Sequence, residues 1–389
     1  MAGSPRLGDV VAALDQLYEP AWAEPWDAVG LVAGESEAVV GRVLFAIDPV
    51  AAVADEAVEI GADLLVTHHP LFLRPVHGVP ATTAKGRLLH RLITAGVALF
   101  VAHTNADVAS PGVSDALAAT LGLHAVRPLD PHPADPLDKI VTFVPNEDVD
   151  RVLDALAAAG AGAIGDYSRC AWTAAGTGTF LPGPAARPAI GRPGRVERVP
   201  ETRLEMVLPR LRRATVVAAL RRAHPYEEPA YDVFELALPA GPRGHGRLGE
   251  LPVPTSLRGF VESAARCLPA TASGVRATGD PERLVWTVAV SGGSGDDLIP
   301  AARRAGAHVL LAADLRHHPA SEAAEEEGAP ALVDAAHWAT EWPWLRDAAE
   351  RLRSALEATG TTVETAVSHR RTDPWTLHLS SSEEAVPTR

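Results

Sequence analysis

Leu64-Leu65-Val66-Thr67-His68-His69-Pro70-Leu71-Phe72-Leu73 is the stretch on which the fold turns. Leu64, Leu65 and Val66 make an apolar run of strand length, too short to favour a helix. Pro70 ends the run, because proline has no N–H to give a ladder. His68 and His69 therefore stand where a strand passes into a loop. In open α/β sheets that carboxyl edge is where ligands bind, and imidazole is the commonest metal ligand in proteins. On this stretch alone, two polar loop residues account for the sequence as well as a metal site does.

The flanking chain alternates strand and helix. Leu7 to Leu17 carries apolar residues at helical spacing. In the segment EPWDAVGLVAG, residues 24–34, Trp26, Val29 and Leu31 read as core-facing anchors, and Asp27 reads as a turn cap rather than a site contact. Val43 to Ile47 is a strand ending at Asp48-Pro49. Val50 to Ile60 is an alanine-rich helix stopped by Gly61, and Lys85 to Ala95 is a helix closed by Gly96. Val97 to Ala102 is a strand running into His103-Thr104-Asn105-Ala106-Asp107. This grammar predicts a parallel sheet wrapped by helices.

The last third repeats it. Leu284 to Val290 is a strand, Asp296 to Ala305 a helix, His308 to Ala313 a strand, Ala320 to Glu327 a helix, and Ala331 to Ala336 a short strand. A His-His-Pro follows the second strand in each half, as His68-His69-Pro70 and His317-His318-Pro319. A histidine with a carboxylate four residues on follows the third strand in each, as His103/Asp107 and His337/Glu341. Packing repeats apolar residues, not imidazoles and carboxylates, so a diverged duplication carrying a site explains the pattern better. Residues four apart on a helical turn share a face, which lets His337 and Glu341 grip one site. His68, His69, Asp107, His337 and Glu341 form a mixed N and O ligand set, suited to zinc, iron or manganese rather than calcium or magnesium. With a shared carboxylate, the set has room for two divalent cations, typically about 3.5–4 Å apart. His103 reads as a ligand, an orienting group or a substrate contact. Asp314 and His318 stand at the duplicated counterpart of His68/His69 and read equally as structural. His77, His90, His124, His132, His245 and His369 carry no spacing argument and read as loop or surface residues.

Ser291-Gly292-Gly293-Ser294-Gly295 lies between a strand and a helix, where backbone amides can cradle an anion. Asp296 and Asp297 follow at once and would repel a phosphate, so a close-packed turn is the preferred reading. Between the halves the order strand, helix, strand, strand, helix, strand matches the ferredoxin-like split motif. It includes Lys139 to Val144, Asp148 to Ala159, Arg203 to Leu208, Thr215 to Ala223 and Tyr231 to Leu238, with a Pro-, Gly- and Arg-rich loop at residues 181–196. His224, Glu227 and Glu228 of HPYEEPAYD read as a rigid packed turn rather than ligands.

Composition sets the outer bounds. The chain has 389 residues, a formal net charge of −14 and 47% hydrophobic residues. That acidic excess argues against a nucleic-acid partner. No apolar run approaches the roughly 20 residues of a membrane-spanning helix, and no membrane partner is expected. The opening residues lack the pattern of a secretion signal. Cys170 and Cys267 are the only cysteines, which excludes a disulfide scaffold and a cysteine-rich zinc site. A reduced, cytoplasmic protein is the expectation.

Taken together and in this order, LLVTHHPLF, HTNAD, IGDYSRCAW, HPYEEPAYD, SGGSG and AHWATEW resemble the Nif-three-like family, whose members are often called GTP cyclohydrolase I type 2 homologs. The resemblance runs from WDAVGL to AHWATEW. It implies a duplicated α/β metal-binding domain split by an inserted α+β ferredoxin-like (PII/CutA-like) domain. The expected boundaries are 1–130 for the first half, 131–240 for the insert, 241–362 for the second half and 363–389 for a peripheral tail. The resemblance implies a dinuclear site whose ligands map to His68, His69, Asp107, His337 and Glu341, and a homohexameric ring with its sites facing an inner cavity. His317 departs from the family pattern, which has an aromatic residue before His318. The implied activity is metal-dependent hydrolysis of GTP: a hydroxide attacks C8 of the guanine ring, and the ring opens with loss of formate. His103 or His318 would carry protons, and the Arg-rich insert would meet the triphosphate. Hydrolysis of another substrate such as a phosphoester, or a non-enzymatic metal-binding ring, are the alternatives.

Overall fold

The computed structural model describes residues 3–380, so the end of the expected tail, 381–389, lies outside the described residues. The chain divides into two compact units. One is assembled from the two ends of the chain, up to His132 and from Pro242 onward; the other is Pro133–Gly241.

The larger unit holds two mixed sheets. In the first, Gly30–Ala33, Ala98–Val101, Leu64–Thr67, Arg42–Ala46 and Glu364–Val367 lie side by side in that order. Gly30–Ala33 is antiparallel at one edge and the other four strands are parallel. In the second, the order is Val275–Ala277, Ala331–Ala335, Val309–Ala313, Leu284–Ser294, Ala240–Ser256 and His124–Pro133. Val275–Ala277 is again an antiparallel edge beside three parallel strands. The first four strands of the two sheets thus share order and direction, which is the duplication in three dimensions. Leu64–Thr67 and Val309–Ala313 are buried at every position, as expected of strands covered on both faces.

The main core packs the helices Leu7–Leu17, Val113–Thr120, Leu257–Cys267 and Trp344–Ala358 with residues from both sheets, among them Phe45, Phe100, Val288 and Leu311. Ala51–Glu59 and Ala84–Thr94 cover the other side of the first sheet. Ile299–Arg304 and His317–Ala324 do the same for the second. Arg247, 1% exposed, stitches the halves: it donates to Asp115 at 2.8 and 2.7 Å and to the carbonyls of Gly244, Gly246 and Ala109.

Several expectations are corrected. Residues 364–378 are no peripheral tail: Glu364–Val367 is a strand of the first sheet and buried Ser368 donates from its backbone to Phe45 O. That strand is short and follows a polar turn, so periodicity does not reveal it. His124–Pro133 and Ala240–Ser256 escape a reading by propensity because each contains several prolines. The first lies at a sheet edge, where a missing N–H is tolerated. Trp26 is 57% exposed rather than a core anchor. The helix expected from Ala320 begins at His317, with Pro319 in its first turn, where the amide is unpaired anyway.

The smaller unit has the order Leu137–Pro145, Val149–Ala158, Trp172–Phe180, Glu197–Pro209, Arg213–Ala223, Tyr231–Glu235. Its antiparallel sheet runs second, third, first, fourth strand, the split ferredoxin-like arrangement. Val152, Leu156, Val216 and Leu220 of its helices pack on Ile140, Leu204 and Met206 of the sheet.

Candidate metal centre

His68 and His69 leave the carboxyl end of Leu64–Thr67 with their backbone amides bonded to Ala46 O and Ile47 O at the end of the neighbouring strand. His68 is fully buried and its ring lies 5.3 Å from that of Trp344. Its Nδ1 is 2.9 Å from Ala102 O, and His69 Nδ1 is 2.7 Å from Asp48 Oδ1. Those acceptors fix the proton of each neutral ring on Nδ1, which leaves the Nε2 lone pair for a ligand. From the second sheet, His337 opens the helix His337–Glu341 just after Ala331–Ala335, and its Nδ1 is held at 2.6 Å by Asp314 Oδ2. Glu341, one turn on and 2% exposed, points at the same spot.

Glu341 is the hub. Its Oε1 is 2.9 Å from His337 Nε2 and 3.4 Å from His68 Nε2, and its Oε2 is 3.3 Å from His69 Nε2. Asp107, on the helix Thr104–Val108, places Oδ1 3.5 Å from His68 Nε2. Three of these atoms, His68 Nε2, Asp107 Oδ1 and Glu341 Oε2, are buried with no hydrogen-bond partner. Charge-assisted N–H···O bonds run about 2.7–2.9 Å, so separations of 3.3–3.5 Å are too long for them. They do match a shared cation: two ligands each about 2.1 Å from a tetrahedral metal stand about 3.4 Å apart. The residues therefore fit a divalent metal of the zinc type. Ligand atoms of His69, His337 and Glu341, and those of His68, His69 and His103, gather as two groups that can each hold an ion.

The protonation pattern agrees with this reading. Burial opposes a charge on His68, His69 and His337, but Glu341 outweighs it, with Asp107, Asp48 and Asp314 respectively, and raises all three. His69 is pushed up to about 10 and His337 up to about 11. Burial likewise opposes ionisation of Glu341, yet His69, His337 and His68 hold it well below 4.5. Asp107 moves the other way, raised by burial despite His68 and His103. Without metal, the carboxylates favour protonated imidazoles, and a metal must displace those protons.

The remaining candidates separate. His103 faces the cluster, its ring 5.1 Å from that of His68 and 5.5 Å from that of His69. Asp27 holds it through Nδ1 at 2.8 Å and also accepts from Thr104 N and Oγ1. Asp27 is thus no mere turn cap. Burial opposes its charge, but the His103 and Thr104 bonds outweigh burial and depress its pKa. Trp26 stands edge-on to His103 at 6.0 Å. His318 is exposed on its helix, its ring edge-on to that of His317 at 5.2 Å, and belongs to neither group of ligand atoms. Sequence reads Asp27 as a turn cap, leaves Asp314 open and passes over Asp48, because an acid beside a strand end looks the same whether it caps a turn or steers an imidazole. His132 and His245, read as surface residues, have rings 4.9 Å apart, and His245 reaches Glu24 at 3.3 Å. Gly293 adopts φ +70°, and a Cβ there would lie 2.6 Å from Glu341 Oε1 and 3.1 Å from His337 Nε2. The glycine-rich turn is close-packed against the cluster. His224 is buried with both ring nitrogens bonded, to Phe143 O and Tyr226 N, as a packed turn requires.

A family model described as Duf34/NIF3 (NGG1p interacting factor 3) matches residues 5–374. The chain belongs to the Duf34/NIF3 family. A family relative from Mycobacterium tuberculosis, called GTP cyclohydrolase 1 type 2 homolog, is 52% identical over 384 residues, covering 98% of this chain and 100% of that one. A Streptomyces coelicolor protein of the same name is 41% identical over 378 residues, 97% of this chain and 96% of its own length. Among solved structures, the Bacillus cereus protein related to NIF3 is similar at TM-score 0.80 and 34% identity, covering 97% of this chain and 100% of that one. Staphylococcus aureus protein SA1388 is similar at TM-score 0.82 and 25% identity, covering 96% and 99%. No helix among the described residues is long and apolar enough to cross a membrane.

Proposed function

We propose that this Duf34/NIF3 protein is a metal-dependent hydrolase with a dinuclear site, and that GTP is its substrate. The observation that carries the proposal is the set of partnerless buried atoms, His68 Nε2, Asp107 Oδ1 and Glu341 Oε2, spaced as ligands of a shared cation. His68, His69, Asp107, His337 and Glu341 would hold two divalent cations, zinc, iron or manganese. When bound, such a pair lets water ionise near neutral pH and polarises the substrate. The chain's own residues supply the rest. Asp48 and Asp314 orient His69 and His337. His103, steered by Asp27 and turned toward the cluster, is placed to move a proton to or from the substrate. His318 stands apart, so this role falls to His103.

The names of the curated relatives support the choice of GTP; ring opening with release of formate is what the family resemblance implies. A cavity of about 850 Å³ opens on His69, His103 and His337, a size that admits a nucleotide. The topology of Pro133–Gly241 supports a PII/CutA-like fold for the insert, and the family resemblance supports a cytoplasmic homohexamer. Purified protein of defined metal content, incubated with GTP, tests the proposal. Metal-dependent formate release is the expected outcome. Phosphate release without ring opening would replace GTP ring opening with phosphoester chemistry, and metal binding with no turnover would overturn the hydrolase reading.

A further inference from the structure

The segment after the last strand does not leave the molecule; it runs to the metal centre. Buried Ser368 accepts from Trp342 Nε1 at 3.0 Å and donates to Glu56 Oε2 at 2.6 Å, which pins the segment. Four residues on, Thr372 Oγ1 donates to Asp48 Oδ2, while the other oxygen of Asp48 holds His69 Nδ1. Thr372, Asp373, Pro374 and Trp375 then line the same cavity as His69, His103 and His337. Asp373 is the unusual member of this wall. It is 8% exposed and its Oδ2 is buried with no hydrogen-bond partner. A carboxylate only accepts; the backbone of Trp375 bonds the group once, and leaving its other oxygen unmet is costly. A ligand in the cavity that brings an N–H donor would remove that cost. Trp375, 65% exposed on the same wall, offers a face for stacking a planar ring.

We propose that the C-terminal segment is the recognition wall of the site, with Asp373 reading the N–H donor edge of a purine-type heterocycle, Trp375 stacking on its ring, and Thr372 holding Asp48 and hence His69. The inference deepens the nucleotide reading above and rests on it for the choice of probe. Guanine presents adjacent ring N–H and amino donors, which suit the free Oδ2 of Asp373. Xanthine carries an oxygen where guanine carries the amino group, and that acceptor would face Asp373 unfavourably.

The test measures binding of guanosine and xanthosine by calorimetry to full-length protein, metal-free and zinc-loaded, so turnover is not needed. Wild type should bind guanosine at least about tenfold more tightly than xanthosine, and Asp373→Asn should bring the two within about threefold with metal content unchanged. Trp375→Ala, which leaves the carboxylate in place and sits on an exposed side chain, should weaken both nucleosides by a similar factor and keep their ratio. Thr372→Val should lower zinc affinity about tenfold, through the Asp48–His69 link, without altering that ratio. An unchanged guanosine preference in Asp373→Asn overturns the proposal. So does loss of a metal ion in that variant, which would make Asp373 a ligand. Discrimination without formate release from GTP would leave this inference standing and remove the ring-opening reading. Formate release with no nucleoside discrimination would do the reverse.

Discussion

Glu341→Gln is the sharpest perturbation of the centre, because the replacement keeps the shape and removes only the charge. In the protein Glu341 is 2% exposed and lies 2.9, 3.4 and 3.3 Å from Nε2 of His337, His68 and His69. Removing a group that merely orients a metal ligand costs about 10–100-fold in metal affinity. Glu341 touches three imidazoles directly and is the charge that lifts all of them, so the loss should reach the top of that range, about 100-fold or near 2.8 kcal/mol. Competition with a chromophoric chelator at neutral pH gives the affinity. The proton count supplies an independent check. His69 at about 10 and His337 at about 11 are protonated at neutral pH in metal-free protein. Zinc binding to wild type should therefore release protons, as calorimetry in buffers of different ionisation enthalpy would read. In the glutamine variant the histidines lose their main reason to be charged, so fewer protons should come off. Zinc affinity within about threefold of wild type, with unchanged proton release, would refute the assignment of Glu341 as the shared ligand.

Other predictions follow from the same geometry. Metal-free protein should be most stable in a window near pH 4.5–6.5: raised histidines stabilise fully below their ordinary 6.5 and lose that contribution as pH rises toward about 10 and 11, while depressed Glu341 stabilises fully above 4.5 and loses it as pH falls through its folded value. Thermal melts across pH, with and without zinc, would show it; a metal-free midpoint that climbs steadily from pH 6.5 to 10 would contradict the coupling. Gly293→Ala places a side chain at φ +70° and 2.6 Å from Glu341 Oε1, so it should cost about 1–2 kcal/mol of backbone strain and weaken zinc binding as well; denaturant melts paired with metal titration would detect a variant that does neither. Arg247→Ala strands Asp115 and several carbonyls beside a buried gap and should destabilise the protein by about 3–5 kcal/mol in chemical denaturation, and a loss below about 1 kcal/mol would mean the arginine is dispensable.

What the sequence reveals follows the strength of each physical signal. The strand Leu64–Thr67 and its histidines are plain because a fully buried strand is a continuous apolar run and proline marks its end. His337 and Glu341 are legible through helical spacing and through the echo of His103 and Asp107. Their mutual approach is long-range and is carried here by the shared order of the two sheets. The orienting acids are silent because their meaning is entirely tertiary: Asp27 meets His103 across 76 positions of chain. The C-terminal segment is silent for a different reason. Its strand is four residues long, and the polar residues after it acquire a role only by touching Asp48 and the cavity.

The duplication accounts for a cluster assembled from both halves of the chain. Both halves place His-His-Pro after their second parallel strand. In the first half the histidines stay in a loop at the strand end, with His68 buried and both rings turned to the cluster. In the second half the same tripeptide opens the helix His317–Ala324, which carries both histidines out to solvent. The third-strand pair keeps its arrangement in both halves: His337 and His103 are each held through Nδ1 by an aspartate, Asp314 and Asp27, and each faces the cluster, while Glu341 and Asp107 both approach His68 Nε2. In the proposed centre the first half would contribute His68, His69 and Asp107 and the second His337 and Glu341. A single half would leave buried imidazoles and carboxylates without their counter-groups, which is the costly state for such atoms. The cluster is thus a property of the paired halves. A chain cut between them and reassembled from its pieces should recover zinc binding only when both are present, with neither piece alone retaining micromolar affinity in the same chelator competition.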